Sequence, residues 1–309
     1  MANFLEDPEQ FFRNHSIVLP VNPDEGGKIG QMELMKATMT AVGTAETHGG
    51  ARVKAPIHAF QSNKKYSKVQ VQAAVHDVAW VVGPGNRAEL VIRQAPAAEA
   101  RLAATADPDW FRCLVLPWTE NAINYMQIPR DTTASAFMTG AMNGCTFVVT
   151  GDPREPFVSH INSSATQDKL DADYQAKIQK AVGLAADGSN AKTVTRTDYK
   201  LDRAAVRPHE QQIEQGLGKT HKVKPDATGE GIITDTLCFV MGVRQGGSWR
   251  FFYQQVITHK YSYIKRLGKT GGWRKWIGKD NRVASDNVVY RALTPFVSIW
   301  PEGLGRVTL

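Results

Sequence analysis

Cysteine is scarce in this chain: among 309 residues there are Cys113, Cys145 and Cys238 and no others. Three cysteines cannot build a disulfide framework, and the odd number leaves at least one free thiol. No stretch approaches the roughly 18 consecutive apolar residues of a membrane-spanning helix. The first residues, MANFLEDPEQFFRNH, carry acidic side chains and no apolar core, so a Sec-type signal peptide is not expected there. There is no Cys-x-x-Cys pair, no His-Glu-x-x-His and no acidic calcium loop, so no metal site is expected. No Gly-x-Ser-x-Gly elbow occurs. Two stretches, Gly216–Thr220 (GLGKT) and Leu267–Thr270 (LGKT), have the end of a phosphate-binding loop. The leading glycine is missing from both, since Ile213 and Tyr263 hold its position, and nucleotide binding by that route is not supported.

What remains is ordinary globular composition, 42% apolar, 22% charged and 9% aromatic, with 26 Gly and 15 Pro. It excludes low-complexity and collagen-like chains and suits one large domain or two small ones. Thirty-seven Lys and Arg against thirty Asp and Glu give a formal charge of +7, which favours encounter with acidic surfaces. The excess concentrates in residues 260–282, KYSYIKRLGKTGGWRKWIGKDNR, with eight Lys or Arg against one Asp. This stretch reads either as a solvated basic hairpin or as a docking patch for an acidic partner, with Lys265, Arg266, Lys269, Arg274 and Lys275 as its candidate contacts.

Along the chain, residues 1–60 look weakly patterned and read as an N-terminal arm or small lobe, with a possible short helix over Gln31–Val42. Residues 61–309 read as the main, catalytic domain. Alternation between Val69 and Gln94, broken at Gly83-Pro84-Gly85-Asn86, predicts a hairpin. A strand series follows: Phe111–Pro117, Ala122–Ile128, Ala136–Met142, Cys145–Thr150 and, after the turn GDPR at 151–154, Pro156–Ile161. A helix capped by Thr166 carries the apolar stripe Leu170, Tyr174, Ile178, Ala181, Val182 and is expected to end at Asp187-Gly188. Thr193–Tyr199 reads as a strand and Pro208–Gly216 as a short helix. Ile232–Val243 and Trp249–His259 form a hairpin about Gln245–Ser248, and Val288–Trp300 is a last strand. Strands outnumber helices and do not alternate with them, so the fold expected is α+β: a mixed β-sheet or β-sandwich core with flanking helices.

Cys113 (WFRCLVLPW) and Cys238 (TDTLCFVMGV) lie in apolar strand-like runs, where a thiol behaves as a small hydrophobe. Cys145 differs, because Met142-Asn143-Gly144 brings it out of a turn at the start of a strand. Gly144 permits backbone conformations closed to other residues, and amide N–H groups about such a turn are candidate oxyanion donors. A hairpin of this length returns His160 beside Cys145, and Thr139 lies at the same end, where it can hold the imidazole in one tautomer. Nucleophile, base and orienter are then Cys145, His160 and Thr139, and an adjacent imidazole is expected to lower the thiol pKa. None of the other histidines is read as catalytic.

The stretch FMTGAMNGCTFVVTGDPREPFVSHINSS, about a tenth of the chain, resembles the catalytic core of the glutamine deamidases of the cytotoxic necrotizing factor and Burkholderia lethal factor type, with the chemotaxis deamidase CheD as a distant relative. Those enzymes carry a Leu-Ser-Gly-Cys-like turn, a histidine on the next strand and in several members a threonine six residues upstream. The corresponding residues here are Met142-Asn143-Gly144-Cys145, His160 and Thr139, so Met and Asn stand where the family has Leu and Ser. The resemblance implies a CheD-like deamidase fold and a bacterial effector or toxin. It implies delivery by a non-Sec route into a target cell, where a glutamine of a partner such as a small GTPase or translation factor becomes glutamate. The chemistry needs no metal or organic cofactor. The alternatives are a Cys-His protease or amidase, and a non-catalytic nucleic-acid or protein-binding module using residues 260–282.

Overall fold

The computed structural model describes residues 4, 7, 10, 11, 16–18, 56–61, 69–72, 75–83, 87–92, 111–116, 118, 121–200, 203–217, 221–224, 231–265, 283–292 and 297–301. The possible helix over Gln31–Val42 and the basic residues Arg266, Lys269, Arg274 and Lys275 lie outside them. The chain separates into two units, residues 1–199, 237–256 and 292–309 forming the first and residues 200–236 and 257–291 the second.

In the first unit the clearest element is a hairpin of two strands, Thr146–Asp152 and Glu155–Ile161. Its tip is an Asx turn in which the Asp152 carboxylate accepts from the Arg154 main-chain N–H and guanidinium at 2.9 and 2.8 Å. Counting in chain order, these strands are β9 and β10. Before them come β1 (Ser16–Val18), β2 (Pro56–Gln61), β3 (Val69–Gln72), β4 (Val75–Gly83), β5 (Arg87–Ile92), β6 (Phe111–Leu116), β7 (Ala122–Gln127) and β8 (Ala136–Thr139). After them come helix α1 (Leu170–Val182), β11 (Lys192–Val194), α2 (Arg203–Leu217), β12 (His221–Lys224), β13 (Ile232–Gln245), β14 (Ser248–Lys265), β15 (Val283–Ala292) and β16 (Val297–Trp300).

A six-stranded sheet runs β11-β9-β10-β7-β2-β3, all antiparallel. A larger sheet runs β1-β5-β4-β6-β8-β13-β14, with β16 on β14, and pairs β6 with β8 in parallel. The two sheets bury one core between them. Phe147, Val149 and Val158 of the six-stranded sheet meet Leu114, Leu116, Phe137, Val240, Trp249 and Phe251 of the larger one. The Phe147 ring stands 6.0 Å from Phe137 and 5.9 Å from Phe251, centroid to centroid. On the opposite face, Val148, Phe157 and Ile161 pack under Tyr174 and Ala181 of α1. β9 and β10 are therefore covered on both faces, which is why their sequences run apolar instead of alternating. The architecture is mixed α+β, mostly strands, with two sheets and two helices among the described residues.

The stripe predicted for the helix faces the sheet, but its ends differ. Lys169 occupies the cap position with no side-chain cap, and Thr166 instead offers its carbonyl to the Lys169 N–H at 2.9 Å. The helix stops at Val182, and two turn hydrogen bonds from Leu184 and Ala185 follow. Residues 69–83 do not make one strand. β3 joins β2 in the six-stranded sheet, whereas β4 makes the predicted hairpin with β5 in the larger sheet. Residues on both sides of position 60 share these sheets, since β1 pairs β5 and β2 pairs β7. The β13–β14 turn is the two-residue Gly246-Gly247 with φ of 56° and 83°, the mirror-image turn that suits twisted strands.

The second unit contains α2, β12 and β15, with the parts of β13 and β14 that fall in residues 232–236 and 257–265. Proline favours a helix start, hence the expected beginning at Pro208. The helix in fact begins at Arg203, and Pro208 inside it forgoes one hydrogen bond to the first turn. Thr234 Oγ1 lies 2.9 Å from His259 Nδ1 and donates to Glu210 at 2.7 Å. Among the described residues no helix is long and apolar enough to cross a membrane.

Candidate active site

The site lies in the first unit, where the turn Met142–Cys145 enters β9. Met142 forms a β-bridge with Cys238, giving and accepting main-chain hydrogen bonds at 2.8 and 2.9 Å. At the other end of the turn the Tyr199 hydroxyl donates to the Cys145 carbonyl at 2.5 Å. Between these anchors Gly144 has φ +91°, and a Cβ built there would meet nothing within 4 Å. The left-handed conformation selects glycine, and the space beyond it is open. Asn143 is exposed and Gly144 half-buried.

His160 pairs with Phe147 on β9, and Ile161 with Thr146. One register step further, Asn162 stands across from Cys145. Antiparallel neighbours share a face and alternate along the strand, so Cys145, Phe147, His160 and Asn162 all face the inter-sheet core. Cys145 and His160 are diagonal neighbours, a separation of about 7 Å between their backbone positions.

Thr139, on β8 of the opposite sheet, closes the arrangement. Its Oγ1 is 3.0 Å from the Leu116 carbonyl oxygen and 2.5 Å from His160 Nδ1. A carbonyl can only accept, so the single hydroxyl proton of Thr139 goes to Leu116. The contact with His160 must then run the other way, from Nδ1–H to Oγ1. This assigns the tautomer: the lone pair is on Nε2, which is buried and has no hydrogen-bond partner among the described residues.

The structure thus brings Thr139 and His160 together and sets Cys145 on the same face, but it gives Cys145 and His160 no hydrogen bond. Nor does emerging from a turn leave the thiol accessible. Cys145 is 4% exposed and belongs to the inter-sheet core. Burial pushes its pKa up, against hydrogen bonds from the Asn162 side chain and the Asn143 main chain that pull it down. Burial likewise pushes His160 down to about 3. The pair is therefore a neutral thiol and a neutral imidazole, not the ion pair expected from adjacency, because each charge would lose its hydration in this core. Cys113 and Cys238 are fully buried strand residues.

Three residues at the site were missed. Asn162 donates from Nδ2 to Cys145 Sγ at 3.3 Å. Lys177 is 6% exposed and donates to the Asn162 carbonyl at 2.9 Å and to Asn121 Oδ1 at 2.7 Å. Tyr199, expected at a strand end, is the buried staple of the Cys145 carbonyl. The spacing from His160 to Asn162 is the period of a strand, and Lys177 falls three and four residues from Tyr174 and Ala181 on the buried stripe. Both periodicities were readable.

Compared with known proteins, the chain matches no family model, and no curated protein matches it in sequence. The reading of the site therefore rests on its own chemistry. Among the described residues no group of three or more His, Cys, Asp and Glu is placed to hold a metal ion.

Proposed function

We propose that this chain is a protein glutamine deamidase of the cytotoxic necrotizing factor and CheD-like kind, with Cys145 as nucleophile, His160 as base and Thr139 as orienter. The observation that carries the reading is the fixed tautomer. A buried imidazole with Nδ1–H committed to Thr139 and a lone pair on Nε2 that no described residue occupies is a base, and it shares a sheet face with a thiol. Further support comes from the order Thr-x5-Cys-x14-His and from the glycine that precedes the cysteine. The same reading makes the chain an effector or toxin, exported by a non-Sec route, whose target is a glutamine-bearing protein such as a small GTPase or translation factor.

In this reaction Nε2 takes the thiol proton as Sγ attacks the carboxamide carbon, and the carbonyl electrons move onto oxygen. The tetrahedral species collapses: the C–N bond breaks and the imidazolium proton leaves with nitrogen as ammonia. Water, deprotonated by the same Nε2, adds to the thioester carbon, and the S–C bond breaks to regenerate the thiol and leave glutamate. An amine in place of water gives transglutamination. Because thiol and imidazole both start neutral, proton transfer accompanies attack instead of preceding it. The side chain approaches over Gly144, the open edge of the turn.

The test is to expose cell lysate to the wild-type chain and to Cys145→Ser and to search proteome-wide for glutamine converted to glutamate. The reading expects a small set of glutamines converted by the wild type alone. Equal conversion in both samples would remove it, and cleavage of peptide bonds dependent on Cys145 would replace it with a protease.

A further inference from the structure

The sulfur of Cys145 is approached by a side chain that the proposed mechanism does not yet use. Asn162 enters the site from β10, donates its own main-chain N–H to the Ala122 carbonyl at 2.9 Å, and directs Nδ2 at Sγ from 3.3 Å. Its orientation is dictated by its surroundings. The main-chain N–H of Asn121 donates to Asn162 Oδ1 at 2.8 Å, so the amide oxygen must lie there and the NH2 group must face the sulfur. Asn121 holds this amide in place with φ 53°, a conformation uncommon outside glycine.

Lys177 locks the assembly from below. Its ammonium reaches Asn121 Oδ1 at 2.7 Å, the Asn162 carbonyl at 2.9 Å and Asp173 Oδ2 at 2.8 Å, which accounts for all three of its protons. Asp173 in turn accepts from Ser163 Oγ at 2.5 Å. A lysine buried this deeply costs desolvation that ordinary helix packing avoids. Here it binds the two segments, 121 and 162, that aim one N–H donor at one sulfur.

A neutral thiol gains little from such a donor, since thiol sulfur is a weak acceptor. A thiolate gains much more, as hydrogen bonds to ionised acceptors are about twice as strong as neutral ones. When the sulfur bonds to a carbonyl carbon, the oxygen on that carbon is two bonds from the sulfur, within the neighbourhood this N–H already addresses. We infer that Asn162 is a catalytic donor that stabilises the negative charge developing on sulfur as its proton leaves, and then the oxyanion at Cys145, with Lys177 and Asn121 as the positioning residues that fix it. The inference rests on the deamidase reading of the site for the nature of the acyl group, and not for the donor itself.

The experiment is alkylation of Cys145 by iodoacetamide between about pH 7 and 11, a range that reaches above the ordinary thiol pKa, followed by peptide mass spectrometry so that Cys113 and Cys238 do not contribute. Asn162→Ala is expected to move the midpoint of the profile up by about one pH unit, a tenfold slower reaction near neutrality. Asn162→Asp is isosteric, keeps the Asn121 hydrogen bond and sets a carboxylate against the sulfur, so its midpoint rises further than that of Asn162→Ala. Lys177→Met moves it in the same direction by less. A variant disturbed only in packing would not produce this order. The wild type gives a second measurement that needs no substitution: the side-chain amide resonances of Asn162 should titrate with the thiol. Profiles unchanged within twofold in both Asn162 variants, or amide resonances indifferent to thiol ionisation, would overturn the inference. Failure of the lysate test with these profiles shifted removes the deamidase reading alone. Unshifted profiles with glutamine still converted remove the role of Asn162 alone.

Discussion

Replacing His160 tests the burial of the base through the acid stability of the whole fold. In the folded chain burial holds the imidazole pKa at about 3, against 6.5 for the free side chain. Below pH 6.5 the unfolded chain binds a proton at this position that the folded chain refuses. Stability from His160 is therefore fully present above pH 6.5 and is lost as pH falls toward 3. The slope is about 1.4 kcal/mol per pH unit, and the full loss is about 3–5 kcal/mol, a large share of the stability of an ordinary domain. Carboxylates titrate over part of the same range, so the wild type must be compared with His160→Gln, which keeps them and removes the imidazole. Urea unfolding at pH 8 and pH 5 gives the quantity needed. The wild-type advantage over His160→Gln is expected to shrink by about 2 kcal/mol between those values, from the 1.5 units below the unfolded pKa. A difference that stays constant would mean that His160 is protonated alike in both states. The burial that is said to hold the imidazole neutral would then be refuted.

One substitution in the turn and one against it separate backbone from hydrogen bonding. Gly144→Ala meets no atom but must hold φ near +91°, so it should lower stability by about 1–2 kcal/mol in urea unfolding and leave the far-UV spectrum unchanged. Tyr199→Phe removes the hydroxyl on the Cys145 carbonyl and should cost about 1–2 kcal/mol, read as a lower urea midpoint at constant slope.

Much of this was legible in the sequence because the strands announce themselves locally. A single turn, GDPR, separates two apolar runs, so the β9–β10 hairpin and the return of His160 toward Cys145 needed no knowledge of the rest of the fold. Thr139 followed from the same logic, although it reaches His160 from the opposite sheet and not from a neighbouring strand. The burial of the thiol was not legible, because it depends on Phe137, Val240 and Phe251, residues far along the chain that close over the same core. Lys177 escaped for a related reason. A lysine on a helix reads as solvated unless its partners are known, and here they are Asn121 and the Asn162 carbonyl, 56 and 15 residues away. The division of residues 69–83 between two sheets was equally hidden, since alternation predicts a strand without saying which neighbour it will have.

The central claim is that Cys145 and His160 together convert a glutamine carboxamide to a carboxylate. The balanced reaction releases one ammonia for each glutamate formed. The most direct measurement is therefore ammonia and newly formed glutamate, quantified together in lysate treated with wild type, Cys145→Ala and His160→Gln. Equal amounts of the two products are expected from the wild type and neither from the variants. Conversion that persists without Cys145, or new peptide termini without ammonia, would contradict the claim.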